Sequence, residues 1–459
     1  VSLCIMIIVS LTFAACKKYL DKKTDIKLAI PTTLNEFQTL LDQPDITSNS
    51  TPGVNDLGCD DYYVSYPTYQ SLSVVARNCY IWTSDIWNGA TSKDWDNPYS
   101  IIYKSNVVLE GLKEFPIDNP QDQAKWNTIT GHALFLRGIS HYFLEETFGQ
   151  PYKPSTSNSD MGIPLKLTSD LSKIAMRSSV EATFTQITSD LKEAASLLPT
   201  STGTKNRPSK AAAYGMLARI YLTMQDYVRS SIYADSSLKY NSTLTDYNNV
   251  TTLGGNVPFV GFGPPNDGPF EVLYPSNQYP YSVFTQTTVI IDTNLFQLYS
   301  INDLRRTGFF RYTASTNSYS FKGNYTGLPT HFSGPAVDEM YLISAECKAR
   351  AGQKDASLID LNALLLKRWR NSAGPYSPVT AIDAEDALRK ILVERRKELL
   401  VRGIRWSDLR RLNQDPRFAI TLTRKLNGQI YTLPPNDKKY TYPIPDNEIQ
   451  LSGIQQNPR

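Results

Sequence analysis

Apolar residues recur every three or four positions along much of this chain, which is the spacing that one buried face of an α-helix requires. The clearest run begins at Gln121, places Trp126, Ile129 and Ala133 on one face, and ends near Phe148. Similar spacing predicts further helices over 34–42, 99–115, 181–198, 208–224, 226–239, 294–299, 337–352, 355–370, 384–402 and 405–412. The pattern therefore predicts a mainly α fold without an extended sheet.

Small residues are concentrated in part of this helical pattern, between 181 and 239. Pro208 suits the first turn of a helix, and small residues such as Ala211 and Gly215 follow it. Small side chains let two helices approach closely, so the segment is typical of tetratricopeptide-like helix pairs. A second pair of this kind is predicted at 337–370.

The stretch between the two predicted helix pairs differs from them in composition. It is rich in Gly, Pro, Asn, Thr, Tyr and Phe, which predicts a loop-rich lobe with few short strands. We expect one body over 16–459, divided into an N-terminal region, a helical repeat region, the loop-rich lobe and a C-terminal region, at 16–120, 121–240, 241–335 and 336–459.

The first residues have the features of a bacterial secretion signal. Residues 3–15 form a short apolar run that ends in small side chains, and the junction Ala14-Ala15-Cys16 resembles a lipobox. We therefore expect 1–15 to be a lipoprotein signal peptide and Cys16 to carry acyl chains that anchor the protein to membrane lipid. Past residue 16, no window approaches the roughly 20 apolar residues of a membrane-spanning helix.

The charge balance excludes one class of partner. The 459 residues include 47 basic and 44 acidic side chains, a formal net charge of +3, and no basic stripe is visible. Nucleic acid binding is therefore not expected.

Cysteine and histidine are too few for a disulfide framework or a dedicated metal site. Cys59 and Cys79 fit either a disulfide or two free thiols, and Cys347, inside an apolar helical pattern, fits a small buried side chain. The chain has three His and neither a Cys-x-x-Cys nor a His-Glu-x-x-His motif, so we expect no metal and no cofactor.

Five segments, in order and covering most of the chain, resemble the SusD/RagB family of nutrient-uptake lipoproteins. They are GHALFLRGISHYFLEETFGQPY with a later GIPL, RPSKAAAYGMLARIYLTMQDY, VDEMYLISAECKARAG, ILVERRKELLVRGIRWSDLRRL and YPIPDNEIQ. The chain departs from the family at Arg402, where an acidic residue is usual. It also has an insertion of about a dozen residues between Phe148 and Gly162, a length that surface loops tolerate.

The resemblance implies a SusD-like fold and a binding function without catalysis. The protein would lie on the exterior face of the outer membrane, capture an oligo- or polysaccharide, and deliver it to a SusC-like TonB-dependent barrel. The alternatives are a surface-anchored glycoside hydrolase and a repeat adaptor that binds peptide or glycoprotein.

The charged residues near the C-terminus admit a catalytic interpretation and a structural one. Glu394 and Asp408 could form the acid/base pair of a glycosidase, but nearby arginines would keep both ionised, whereas a general acid must be protonated. We therefore interpret the charges as ion pairs that hold helices together, namely Glu394, Arg395, Arg396, Glu398, Arg405, Asp408 and Arg410.

Aromatic residues in non-periodic sequence are the candidates for ligand binding, since glycans stack on flat rings and their hydroxyls bind polar groups. One stretch holds Asp60, Asp61, Tyr62, Tyr63, Tyr66, Tyr69, Tyr80, Trp82, Trp87, Asn88 and Trp95, and the lobe adds Phe259, Phe262, Tyr274, Tyr279, Tyr281 and Phe284. The leading ligand candidates are Trp82, Trp87, Asn88, Tyr62, Tyr63, Tyr279 and Tyr281. The resemblance favours Trp82, Trp87 and Asn88, although both tryptophans also fit core packing. Trp95, at helical spacing with Tyr99 and Asn106, is expected in the core.

Overall fold

The computed structural model describes residues 31–259, 269–284, 287–314, 316–323, 325–327 and 330–459. Within these ranges the helices are α1 Leu34–Leu41, α2 Val54–Leu57, α3 Tyr66–Ser71, α4 Val74–Tyr80, α5 Lys93–Lys113, α6 Pro120–Phe148, α7 Val180–Leu197, α8 Lys210–Thr223, α9 Tyr227–Tyr240, α10 Thr293–Gln297, α11 Leu304–Phe309, α12 Val337–Arg350, α13 Lys354–Leu366, α14 Ala384–Glu398, α15 Arg405–Leu412 and α16 Asp446–Ser452. None of them is long and apolar enough to cross a membrane.

The strands of the described residues are short and form four antiparallel pairs, so the predicted mainly α fold is confirmed. The pairs are β1 Tyr62–Val64 with β4 Val289–Ile291, β2 Met161–Pro164 with β3 Arg177–Ser179, β5 Phe310–Thr313 with β6 Ser318–Phe321, and β7 Leu422–Leu426 with β8 Gln429–Leu433.

The largest boundary error in the sequence prediction is at α5, which begins at Lys93 instead of 99. Asp94 and Asp96 lie in its first turn, where acidic side chains interact favourably with the helix dipole. Pro98 lies inside the helix. Because a proline normally marks a helix boundary, the sequence pattern did not predict the start at Lys93. The early start places Trp95 on the helix, where it is buried as expected.

Helices α8 and α9 pack closely, as their small residues predict. Ser230 Oγ donates a hydrogen bond to Ala218 O at 2.8 Å, and Ser237 Oγ donates one to Ala211 O at 2.8 Å. A side chain of one helix can reach the backbone of the other only where the facing residue is small. The second predicted pair is α12 and α13, which share an apolar cluster with α14 through residues such as Leu361.

The charged residues of α14 and α15 form the predicted ion pairs. Glu394 and Glu398 both accept hydrogen bonds from the buried Arg305, at 2.6 and 2.9 Å, and Arg395 binds Asp408 at 2.9 Å. Six of the seven predicted charges form ion pairs within the described residues, whereas Arg410 donates to backbone carbonyls instead, so the structural interpretation is confirmed for those six.

Three more arginines fix the C-terminal helices to distant parts of the chain. Arg396 donates to Asp61 at 3.0 Å, Arg405 donates to Asp60 at 2.7 Å, and Arg410 donates to Gly149 O at 2.8 Å. The contacts of Arg396 and Arg405 hold the segment at 60–61 in place, and that of Arg410 reaches the C-terminal end of α6.

Arg402, the departure from the family pattern, also lies in a buried ion pair. Its guanidinium donates to Asp338 Oδ2 at 2.6 Å, and both side chains are almost inaccessible to solvent. The unusual cation at this position therefore has a carboxylate partner within the chain.

The cysteines of the described residues are free. Cys59, Cys79 and Cys347 are all buried, so the disulfide alternative for the first two is not found and the buried position expected for the third is confirmed. Burial raises the pKa of the Cys347 thiol to about 12, which makes it an inert apolar side chain.

Candidate functional site

An open cleft of about 450 Å³ brings together part of the predicted aromatic set with residues from far along the chain. We call it the tyrosine cleft. It is lined by Asp60, Tyr62, Tyr63, Tyr80, Trp82, Asp292, Asn294, Arg396 and residues 420–425.

Tyr63 presents the most exposed predicted aromatic ring of this cleft. Strand β1 alternates, with Tyr62 and Val64 buried and Tyr63 38% exposed between them. The Tyr63 hydroxyl lies 3.4 Å from Thr293 Oγ1, which connects it to the first turn of α10. The ring is therefore held at the cleft with its surface partly free.

The expectation that Trp82 and Trp87 offer open aromatic faces is wrong. Both side chains are buried, and their indole N–H groups donate to backbone carbonyls, Trp82 to Gly58 O at 2.9 Å and Trp87 to Pro443 O at 2.7 Å. A buried indole favours such a site because its apolar body leaves water while its one donor finds an acceptor. In this conformation neither ring can stack on a sugar.

Three other predicted candidates lie outside the lining of the tyrosine cleft. Asn88 is exposed at a loop tip, where its N–H donates to Asp85 Oδ1 at 2.8 Å. Tyr279 and Tyr281 are half-buried with ring centroids 5.3 Å apart, and the Tyr281 hydroxyl donates to Asp94 at 2.6 Å. The structure therefore brings Tyr62 and Tyr63 together but leaves these three elsewhere.

Arg424 explains why so many of the cleft's aromatic rings are buried. It enters from β7, and its guanidinium carbon lies 4.2, 4.9 and 5.5 Å from the ring centroids of Tyr80, Tyr62 and Trp82. Its two terminal nitrogens donate to Tyr62 O and Cys59 O. The rings are packed around a cation, a favourable arrangement that also removes them from solvent.

The hairpin of β7 and β8 contributes to the cleft and was not among the elements predicted from the sequence. Asn427 and Gly428 both have positive φ, 48° and 75°, and connect the two strands. An Asn-Gly pair between alternating residues is a strong hairpin signal, which could have revealed this element. Nothing local in the sequence could have shown that Arg424 reaches the aromatic stretch more than 300 residues earlier.

The carboxylates of the cleft are engaged by cations or backbone. Burial opposes the ionisation of Asp60, but Arg405 and Arg396 together hold its pKa well below the usual value. Burial raises the pKa of the neighbouring Asp61 against the attraction of Arg396. Asp292 caps α10 by accepting from Leu295 N at 2.9 Å.

A second cleft, of about 500 Å³, runs along α5 and is more apolar. We call it the apolar groove. It is lined by Trp95, Asp96, Tyr99, Ser100, Tyr103, Asn106, Pro164, Lys166, Thr168, Asp170, Leu171, Ile174, Ala175, Glu448, Leu451 and Ser452. Trp95 packs against Phe148 and Tyr99, with ring centroids 5.0 and 4.8 Å apart.

Cys16 and Phe262 lie outside the described residues, so the structure does not test their predicted roles. Among the residues that are described, no group of three or more His, Cys, Asp or Glu is arranged to hold a metal ion.

Comparison with known proteins identifies the family. A family described as "Starch-binding associating with outer membrane" matches residues 18–222, and the SusD family matches residues 338–459. The chain belongs to the SusD family.

One curated relative is similar to most of the chain, and two solved structures share its fold. SusD-like protein P2 of Formosa agariphila is 24% identical over 384 residues, covering 71% of this chain and 72% of that protein. A SusD superfamily protein from Bacteroides thetaiotaomicron has the same fold, with a TM-score of 0.71, 21% identity, and coverage of 93% of this chain and 100% of that chain. Surface glycan-binding protein A from Bacteroides uniformis gives a TM-score of 0.69, 16% identity, and coverage of 93% and 99%.

Proposed function

We propose that this chain is a surface glycan-binding protein that captures an oligo- or polysaccharide in the tyrosine cleft without cleaving it. The observation that carries the proposal is the combination of the partly exposed Tyr63 ring with the polar side chains of Asn294 and Lys425 in one open cleft. A ring face can stack on the CH surface of a sugar while polar groups bind its hydroxyls. The B. uniformis protein of the same fold is named for surface glycan binding.

The chemistry of the cleft supports binding over hydrolysis. A glycosidase needs one carboxylic acid that is protonated at the moment of catalysis and a second carboxylate as base or nucleophile. Asp60 is held ionised by two guanidinium groups, and Asp292 is committed to capping α10. Neither is suited to donate a proton to a leaving group.

The proposal also includes the membrane anchor and the partner. Acylation at Cys16 would hold the folded body at the outer membrane, and a SusC-like TonB-dependent barrel would receive the captured glycan. The lipobox at residues 13–16 supports the anchor, and membership of the SusD family supports the partner. Mass spectrometry of the native protein tests the anchor, since an unmodified Cys16 would refute it. Co-purification of a barrel from crosslinked membranes tests the partner.

Glycan binding is tested by calorimetry against a panel of polysaccharides with wild type, Tyr63→Ala and Tyr66→Ala. Tyr63 and Tyr66 are equally exposed, at 38%, but Tyr66 does not line the cleft. Loss of a central aromatic anchor typically costs about 2 kcal/mol, or roughly thirtyfold in affinity, so Tyr63→Ala should weaken binding by that amount and Tyr66→Ala should not. Equal affinities of the two variants would refute the assigned cleft, and shortening of a bound glycan by wild type would refute the non-enzymatic role.

A further inference from the structure

The tyrosine cleft contains a buried cation that lacks an anionic partner. Arg424 is only 5% exposed, and it forms no ion pair with any carboxylate of the described residues. Its hydrogen bonds go to two neutral carbonyl groups, and its Nε has no partner in the described part of the chain.

Arg410 is likewise bonded to backbone carbonyls alone, but it does not line the cleft, and two other buried arginines of the described residues differ from Arg424 by having a carboxylate partner. Arg219 binds Glu339 at 2.6 Å, and Arg402 binds Asp338 at the same distance. Removing a guanidinium from water without a counter-ion is costly, and the three aromatic rings around Arg424 recover only part of that cost. The positive charge of Arg424 is therefore only partly compensated beneath the cleft.

A second cation without a carboxylate partner among the described residues lies at the same cleft. Lys425 follows Arg424 on β7, and because successive side chains of a strand point to opposite faces, Arg424 is buried while Lys425 is exposed. Lys425 forms no hydrogen bond or ion pair within the described residues, and it lines the cleft. The lining thus holds three cations, Arg396 included, against the two carboxylates Asp60 and Asp292.

We infer that the tyrosine cleft selects glycans that carry an anionic group, a carboxylate or a sulfate ester, and that Lys425 contacts this group while Arg424 attracts it from beneath. This inference rests on the proposed function and names its substrate class. An anion need not touch the guanidinium, since Coulomb attraction extends over several ångströms and is strengthened where protein replaces water. A neutral glycan would leave both charges without a counter-ion.

The test uses two pairs of probes that differ only in charge. Oligogalacturonate is compared with its methyl ester, and carrageenan oligosaccharide with its desulfated form, by calorimetry at about 20 mM and about 200 mM NaCl. We expect one anionic probe to bind more tightly than its neutral counterpart, with an advantage that shrinks at the higher salt concentration. The pair that shows this advantage distinguishes carboxylate from sulfate.

Lys425→Gln is the variant of choice, because an exposed side chain can be changed without unfolding the cleft. Its affinity for the preferred anionic probe should fall roughly two- to fivefold, the range of exposed ion pairs, with a weaker salt dependence. Lys239→Gln is the matched control, since Lys239 is exposed but does not line the cleft, and it should bind like wild type.

The outcomes separate this inference from the proposed function. Equal binding of charged and neutral probes, or no effect of Lys425→Gln, would overturn the selection of anions. If neutral glycans still bind in a Tyr63-dependent manner, the glycan-binding function stands. Absence of binding by all four probes would overturn the anionic substrate class, and absence of binding across the wider polysaccharide panel would overturn the function as well.

Discussion

The tyrosine cleft and the apolar groove both contain aromatic side chains, but the two regions hold them in different ways. In the groove, Trp95, Tyr99 and Tyr103 lie on one face of a single helix, and the rim exposes apolar side chains such as Leu171. In the tyrosine cleft, rings from separate elements enclose Arg424 and are withdrawn from solvent. The comparison shows that a count of aromatic residues in a sequence says little about how many rings a ligand can reach.

The segment around α2 connects the two regions. On the groove side, Gly53 N donates to Asp94 Oδ1 at 2.6 Å, and Asp94 lies in the first turn of α5. On the other side, Trp82 Nε1 binds Gly58 O, and Asp56 accepts from Gly403 N at 3.0 Å. A change in this segment should therefore affect the geometry of both regions.

The largest expected effect concerns the buried wall of the tyrosine cleft. Trp82→Ala should lower the free energy of unfolding by about 3 to 5 kcal/mol, because it removes a packed indole and leaves a cavity beside Arg424. Leu171→Ala, at the groove rim and 80% exposed, should change it by no more than about 0.5 kcal/mol. Urea unfolding of both variants measures the difference. Similar midpoints for the two would contradict the burial of Trp82.

Asp56 should make the connecting segment sensitive to pH. Burial raises the pKa of this carboxyl to about 7, helped by the nearby Asp61 and opposed by the hydrogen bond from Gln278. The folded state therefore binds the proton more tightly than the unfolded state, whose Asp pKa is about 4. The contribution of Asp56 to the free energy of unfolding is fully present at low pH and is lost as pH rises from about 4 through about 7.

Asp56→Asn should remove this dependence, since the carboxamide cannot ionise. The free energy of unfolding of wild type, relative to the variant, should fall by on the order of a few kcal/mol between about pH 4 and about pH 7. Chemical unfolding of both proteins across this pH range measures the difference between their free energies of unfolding. Other buried acids such as Glu271 contribute equally to both proteins and cancel in this difference. Parallel profiles would show that Asp56 titrates normally.

The sequence predicted what depends on local periodicity. Long apolar repeats such as the one at Pro120–Phe148 located the helices to within a few residues, and charges beside apolar positions predicted the ion pairs of Arg395 and Arg405. The start of α5 at Lys93 was not predicted, because Pro98 interrupts the helical pattern of the sequence. In the structure the helix continues through Pro98, stabilised by tertiary packing.

The sequence could not predict which aromatic rings are exposed. The burial of Trp87 depends on Pro443 O, and that of Trp82 depends on Gly58 O and on Arg424. These partners are distant in sequence, and the segment has no periodicity that would assign its side chains to one face. Only the alternation of β1, which leaves Tyr63 outside, follows from a local rule.

Glycan affinity distinguishes the tyrosine cleft from the apolar groove most directly. Tyr103→Ala removes a half-buried ring from the apolar groove and should leave glycan affinity unchanged, whereas Tyr63→Ala should reduce it roughly thirtyfold. Calorimetry with one polysaccharide and both variants provides the measurement, with circular dichroism as a check on folding. If Tyr103→Ala is the weaker binder, the groove and not the tyrosine cleft is the glycan site.

The smallest expected effect tests whether the apolar groove binds apolar ligands, as its composition indicates. Leu171 and Leu451 are 80% and 78% exposed at its rim, and exposed apolar side chains gathered at one cleft favour apolar ligands. Nile red is neutral, so the cations of the tyrosine cleft should not attract it, and its fluorescence should report binding in the groove. Leu171→Ser and Leu451→Ser should each reduce the affinity for the dye a few-fold, about 1 kcal/mol for the apolar area lost. Tyr63→Ala should leave this affinity unchanged. If Tyr63→Ala reduces the affinity for the dye and the leucine variants do not, the dye binds in the tyrosine cleft, which then offers the better apolar surface despite its charges.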